Sequence, residues 1–172
     1  SPNIKGLFEK PDYKGTIDLM MELMPDIKTV AVVTDATGIG DLHAKFIQAL
    51  APFYVGQLDF MFIHDLAVDT LSRTIQDLPS NSAILYLSFF RAKDGQVLSV
   101  DEALQVLCSN PYVPVFTCWD AFIRKEAVGG QVISGMAHGK KAASLAKAML
   151  EGTKLQDLPL LSEDPSTPMV EY

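Results

Sequence analysis

Short unbroken apolar runs alternate along this chain with segments whose apolar residues recur every three or four positions. That alternation constrains the fold more than any other feature, because it marks βαβ units and a parallel sheet. Residues 28–34 are β-branched and continuous, as in a strand buried on both faces. Residues 57–63, 82–89, 113–117 and 131–134 read as four further strands. Residues 12–24 place Tyr13, Ile17, Met20, Met21 and Met24 at helical spacing, with Asp12 suited to the N-cap and Pro25 to the stop. Helical stripes also run through 41–51 (Leu42, Phe46, Ala49, Leu50) and 67–78 (Leu71, Ile75, Leu78). Asp94-Gly95 makes a turn, and Ser99 with Glu102 forms a capping box for a helix over 100–109. Residues 139–150 form a helix rich in small residues, ended by Gly152. From Leu158 the chain carries Pro159, Pro165 and Pro168 and reads as an extended, poorly packed tail.

The expected fold is therefore α/β, a three-layer sandwich around a doubly wound, mostly parallel five-stranded sheet. The 172 residues suffice for one domain with a real core. Right-handed crossovers bring every strand's C-terminal end to one rim, where such sheets bind ligands. The rim residues are 34–40, His64-Asp65, 89–91, 118–122 and 135–138. A net charge of -7 and the absence of a Lys/Arg cluster disfavour nucleic acid as a partner. No apolar run approaches the ~18 residues of a membrane span. Cys108 and Cys118 lack metal-site spacing and are expected to be free thiols.

The stretch "VVTDATGIGD" (residues 32–41) tests the phosphate-binding reading of the rim. A P-loop needs a Lys after its last glycine, and none is present. In the dinucleotide fingerprint His43 stands where the third glycine belongs, and Asp41, read as an N-cap, would occupy the amides an anion needs. The turn is either a plain strand-to-helix connection or one that also touches an uncharged or cationic solute. Phe89-Phe90-Arg91 excludes the phospho-accepting aspartate of a receiver domain. The chain has no nucleophile elbow, and His43, His64 and His138 lack metal-ligand spacing, so they read as helix-face, turn and capping or solvated residues. Asp35 and Asp120 both reach the rim and suit acid/base work or the donor groups of a solute. In "CWDAF" (118–122), Trp119 and Phe122 either stack on a flat or apolar solute, whose polar end Asp120 fixes, or fill a gap beneath the loop. Phe90 and Arg91 combine apolar contact with a cation suited to a carboxylate, or form an exposed loop.

Four stretches taken together carry a resemblance: "GLFEKPDYKGTIDLMMELMPDIKTVAVVTD" (6–35), "LPSNSAILYLSFFRAKDGQVLSVDEAL" (78–104), "PVFTCWD" (114–120) and "VGGQVISGMAHGKKAASLAKAMLEG" (128–152). This resembles the type I periplasmic-binding-protein-like family related to ABC transporter substrate-binding proteins. It is especially similar to versions fused as sensory regions to bacterial histidine kinases. The resemblance implies two α/β lobes closing over a solute, with this chain as the second lobe alone. Residues 1–11 would be the crossing from the first lobe, 12–157 the core, and 158–172 the return crossing. It implies an extracytoplasmic, membrane-anchored parent, no enzymatic activity in the chain itself, no cofactor and no metal. The partners implied are a small organic solute and the first lobe, with a second copy of this chain as a further candidate. The ligand-facing residues it implies are Asp35, Thr37, Phe90, Arg91, Trp119, Asp120 and Phe122. Gly129, Gly130 and Gly135 would serve close approach or positive φ, and Gly139, Ala142, Ala143 and Ala146 would seat the last helix close to the sheet. The alternatives are a free substrate-binding component of an ABC transporter, a flavodoxin-like α/β enzyme, and a purely dimerising module.

Overall fold

A computed structural model describes residues 6–123, 127–158 and 166–171. Residues 1–5 of the proposed first crossing, and 159–165 and Tyr172 of the tail, lie outside them. The elements run α1 Tyr13–Leu23, β1 Thr29–Thr34, α2 Gly38–Leu50, β2 Asp59–His64, α3 Val68–Gln76, β3 Ser82–Tyr86, α4 Val100–Leu107, β4 Val115–Thr117, β5 Ala127–Val132, α5 Gly135–Leu150 and β6 Thr167–Val170. One sheet is built in the order β2-β1-β3-β4-β5-β6. The first five strands are parallel, and β6 pairs antiparallel with β5, Gly129 opposite Val170.

Two apolar layers cover the sheet. On one face α1 and α2 contribute Ile17, Met20 and Ile47 against Val30, Val32, Leu85 and Phe116. On the other, α3 and α4 contribute Leu71, Ile75, Leu104 and Leu107 against Ala31, Val33, Ile84 and Val115. Strand β1 is buried on both sides, which is why its sequence shows no polar alternation. Asp12 caps α1 by accepting from the Gly15 amide at 2.8 Å, and Ser99 and Glu102 close the capping box of α4.

The structure departs from the sequence reading in five places. The tail adds a sixth strand, whose backbone finds partners on the open edge of β5. Strand β5 begins at Ala127 rather than at 131, so Gly129 and Gly130 lie inside it, at φ 144° and 156°. A Cβ on Gly129 would collide with the Met169 carbonyl oxygen, and one on Gly130 with that of Thr117. The strands approach too closely there for any side chain, and the register slips between Val115 and Phe116. Gly135 has neither feature; a Cβ there would meet Asp120 at an ordinary 3.7 Å.

Helix α2 starts at Gly38 with Thr37, not Asp41, as its N-cap. Its buried residues are Gly40, His43, Ala44 and Ile47, while Leu42 and Phe46 remain 46% and 49% exposed. Helix α5 starts at Gly135, capped by Ser134, and none of its sixteen residues is buried. Gly139, Ala142, Ala143 and Ala146 are exposed instead of resting on the sheet. The reason is topological. Helix α1, arriving from before β1, already packs over β4 and β5, the position a trailing helix takes in a doubly wound sheet.

Candidate functional site

The strand order reverses between β1 and β3: the chain leaves β1 through α2 on one face and leaves β3 through α4 on the other. Such a switch point opens a crevice at the C-terminal ends of the two strands. A cleft of about 400 Å³ lies there. Its walls are Ile39, Leu42, His43 and Phe46 from α2, Leu87, Ser88 and Phe90 after β3, Trp119 and Phe122 after β4, and Glu9, Pro11 and Tyr13 at the entry to α1.

Asp35 supports this cleft from beneath. It is fully buried, and its carboxylate accepts from the Thr37 hydroxyl at 2.5 Å, the Thr37 amide at 3.2 Å, the Phe90 amide at 2.9 Å and the Ser88 hydroxyl at 3.5 Å. Burial pushes its pKa up, but the bonds from Thr37, Phe90 and Arg91 outweigh burial and hold it below the usual carboxylate value. One charged group thus ties the loop after β1 to the loop after β3. Thr37 completes the arrangement by accepting from the Gly40 amide at 3.2 Å. Gly40 is obligatory, since a Cβ would collide with the Asp35 carbonyl oxygen. The glycines of "TGIG" therefore serve close packing of loop on helix.

The aromatic wall is continuous. Trp119 lies 5.3 Å from the His43 ring and 5.6 Å from Phe122, centroid to centroid. Phe122 stacks on buried Tyr86 at 5.2 Å and meets Phe90 edge-on at 5.8 Å. Tyr13 stacks on Phe46 at 5.9 Å, and its hydroxyl lies 2.6 Å from His43 Nδ1. The Trp119 indole N–H donates to Glu9 at 3.2 Å. Burial raises the Tyr13 pKa well above its ordinary value, with the Cys118 thiol adding to the rise, and burial lowers that of His43 against the opposing pull of Asp35. Both groups are therefore neutral at pH 7.

Of the seven residues expected from the sequence, Phe90, Trp119 and Phe122 line the cleft. Asp35 and Thr37 lie under it as a hydrogen-bonded clamp. Arg91 is exposed on the outer loop, its backbone bridged to Val97, and is absent from the walls. The Asp120 carboxylate accepts from the Gly135 amide, 3.1 Å to each oxygen, and so anchors the first turn of α5. His64, read as a turn residue, ends β2; its Nδ1 lies 2.9 Å from the Thr34 hydroxyl and its Nε2 3.3 Å from Asp41. Tyr13, His43 and Phe46 were missed. The signal for them was the α2 stripe itself: Leu42 and Phe46 are apolar and one turn apart, yet they face the opening while polar His43 turns inward. No group of three or more His, Cys, Asp or Glu suited to a metal ion occurs among the described residues. No helix among them is long and apolar enough to cross a membrane.

No family model matches the sequence, and no curated protein matches it. Solved structures do. The chain aligns over 98% of its length with a conserved domain protein from Vibrio cholerae O1 biovar El Tor, at a TM-score of 0.68 and 16% identity. It aligns over 98% with the ligand-free, open structure of CD0873, a substrate-binding protein with adhesive properties from Clostridium difficile, at a TM-score of 0.69 and 15% identity. In both cases it spans 55% of the other chain. The chain thus has the fold of one lobe of a substrate-binding protein, with an aromatic cleft at the sheet's switch point.

Proposed function

We propose that the chain is a non-enzymatic, solute-binding lobe of a two-lobed extracytoplasmic receptor, the sensory region of a bacterial histidine-kinase-like protein. Solute held in the cleft would favour the closed arrangement of the two lobes, and that shift would bias the signalling region. The observation that carries this reading is the placement of four large, partly exposed apolar side chains, Ile39, Leu42, Phe46 and Phe90, around the mouth of one switch-point cleft. Apolar groups gathered at a concave opening mark a surface that is covered in use.

Two further facts support a missing lobe. The structures the chain resembles are nearly twice its length. Helix α5, displaced from the sheet by α1, exposes Met136, Met149 and Leu150. A second lobe seated on the rim would also reach the first turn of this helix, which Asp120 anchors there. The substrate-binding neighbour equally favours a free binding component of an ABC transporter as a second reading.

The test is a solute panel of amino acids, sugars, polyamines and aromatic bases, with FMN and NAD included, added to the 172-residue chain and followed by amide NMR. Shifts clustered at the cleft from any solute other than FMN or NAD support the reading. Stable retention of FMN or NAD, or silence across the panel, overturns it.

A further inference from the structure

Resting on the solute-binding reading, we propose that this cleft takes a flat ring system without negative charge, and that His43 reads an in-plane acceptor on that ring through its Nε2–H. The walls supply the flatness: Trp119, Phe122, Phe46 and Phe90 present ring surfaces, and stacking or edge contact with rings is the interaction they offer.

The hydrogen-bond network assigns the reader. Tyr13 is buried and keeps its proton, and the acceptor available to that proton is His43 Nδ1, 2.6 Å away. Were Nδ1 to carry the imidazole proton instead, the Tyr13 hydroxyl proton would be left buried without an acceptor, a cost of about 1–3 kcal/mol. The neutral ring therefore carries its proton on Nε2. Nε2 has no hydrogen-bond partner among the described residues, and His43 lines the cleft. Its donor is thus free to meet a ligand. Asp120 and Arg91, the polar readers the sequence suggested, are respectively committed to Gly135 and absent from the walls.

The charge selection follows from the carboxylates. Glu9 is in the wall, and its oxygen bonds Trp119, so its charge sits at the ring platform. Asp35 lies below with its charge retained. Thr37 occupies two amides of the first turn of α2, that of Gly40 through its side chain and that of Asp41 through its carbonyl, which leaves fewer donors for an anion.

Trp119 is the only tryptophan in the chain, so in the 15N-labelled protein its indole N–H resonance reports on the cleft alone, with the unlabelled probes silent. The probes are indole, 7-azaindole and indole-3-acetate, titrated at millimolar concentration into the 172-residue chain. The expected order is 7-azaindole first, then indole, then indole-3-acetate weaker than indole by at least about tenfold. In His43→Phe, which keeps a ring and removes the donor, 7-azaindole should lose its advantage over indole, about a few-fold. Phe46→Ala, at a half-exposed position that leaves the core intact, should weaken all three together. Binding of indole-3-acetate at least as tight as that of indole overturns the charge selection while leaving solute binding standing. An unchanged 7-azaindole preference in a folded His43→Phe overturns the role of His43. Silence at Trp119 with all three probes overturns the inference as a whole, and the broader reading is then decided by its own panel.

Discussion

Helices α1 and α5 flank the parallel part of the sheet in sequence and meet opposite fates. Helix α1 has eleven residues and buries Tyr13, Thr16, Ile17 and Met20; α5 has sixteen and buries none. Composition would favour the reverse, since α5 is lined with Gly and Ala that permit close approach. The difference teaches that access to the sheet is decided by order of connection. On the face that α1 shares with α2, the place over β4 and β5 is held by α1. The Thr16 hydroxyl even accepts from the Gln131 amide of β5 at 3.1 Å, so α1 is bonded to the strand that leads into α5.

The largest effect expected from this contrast is on the core under α1. Ile17→Ala removes a fully buried side chain and should cost about 2–5 kcal/mol in urea unfolding. Leu150→Ala at the end of α5, where the side chain is 90% exposed, should leave the midpoint within about 0.5 kcal/mol. Equal losses would mean that α5 shares the core after all. Gly130→Ala comes next, at about 2–3 kcal/mol, because the new methyl meets the Thr117 carbonyl in a left-handed-region backbone; a neutral result would refute the tight β4–β5 approach on which α1 rests.

Acid should also act through α1. His43 bonds Tyr13 of α1, packs on Trp119 and lies within reach of the Asp35 charge. Its folded pKa is lowered by burial, so between that value and about 6.5 the unfolded chain holds more protons than the folded one. Stability therefore rises with pH across this window, and it is lost as pH falls below about 6.5 towards the folded value. Urea midpoints taken on either side of that window should show the slope, and His43→Gln should flatten it. A slope of the same size in the variant would assign the titration elsewhere. The contribution of Asp35 runs lower: with its carboxyl held down, it is present above the unfolded value of about 4 and lost as pH falls through the folded one.

How far this could be read from residues alone follows the same divide. Strands β1 to β4, α1, α3 and the α4 capping box were legible because each depends on local pattern or on a run of core residues, whereas β5 was placed four residues late because its glycines hide the strand pattern. Strand β6 was not legible. Its Thr167–Val170 segment carries a proline and little hydrophobic alternation, and it pairs because the edge of β5 is open. Phe90, Trp119 and Phe122 were legible as aromatic residues just past strand ends. Asp35 and Asp120 were legible as important positions but not for their roles, since a carboxylate reads alike whether it meets a solute or the backbone amides of its neighbours. Tyr13 and His43 are thirty residues apart, and their pairing exists only once α1 lies beside α2.

The smallest predicted effect isolates α5 itself. Gly139 lies inside this helix with nothing near a would-be Cβ and no positive φ, so Gly139→Ala should favour the helix by about 1 kcal/mol on propensity alone. A sixteen-residue helix without tertiary support is marginal in water. The substitution should therefore raise helicity in far-UV circular dichroism and slow amide exchange between Gly135 and Leu150, while the urea midpoint of the core moves by no more than a few tenths of a kcal/mol. If the midpoint instead shifts by the full propensity gain, α5 unfolds together with the sheet, and the helix needs no second lobe to explain it.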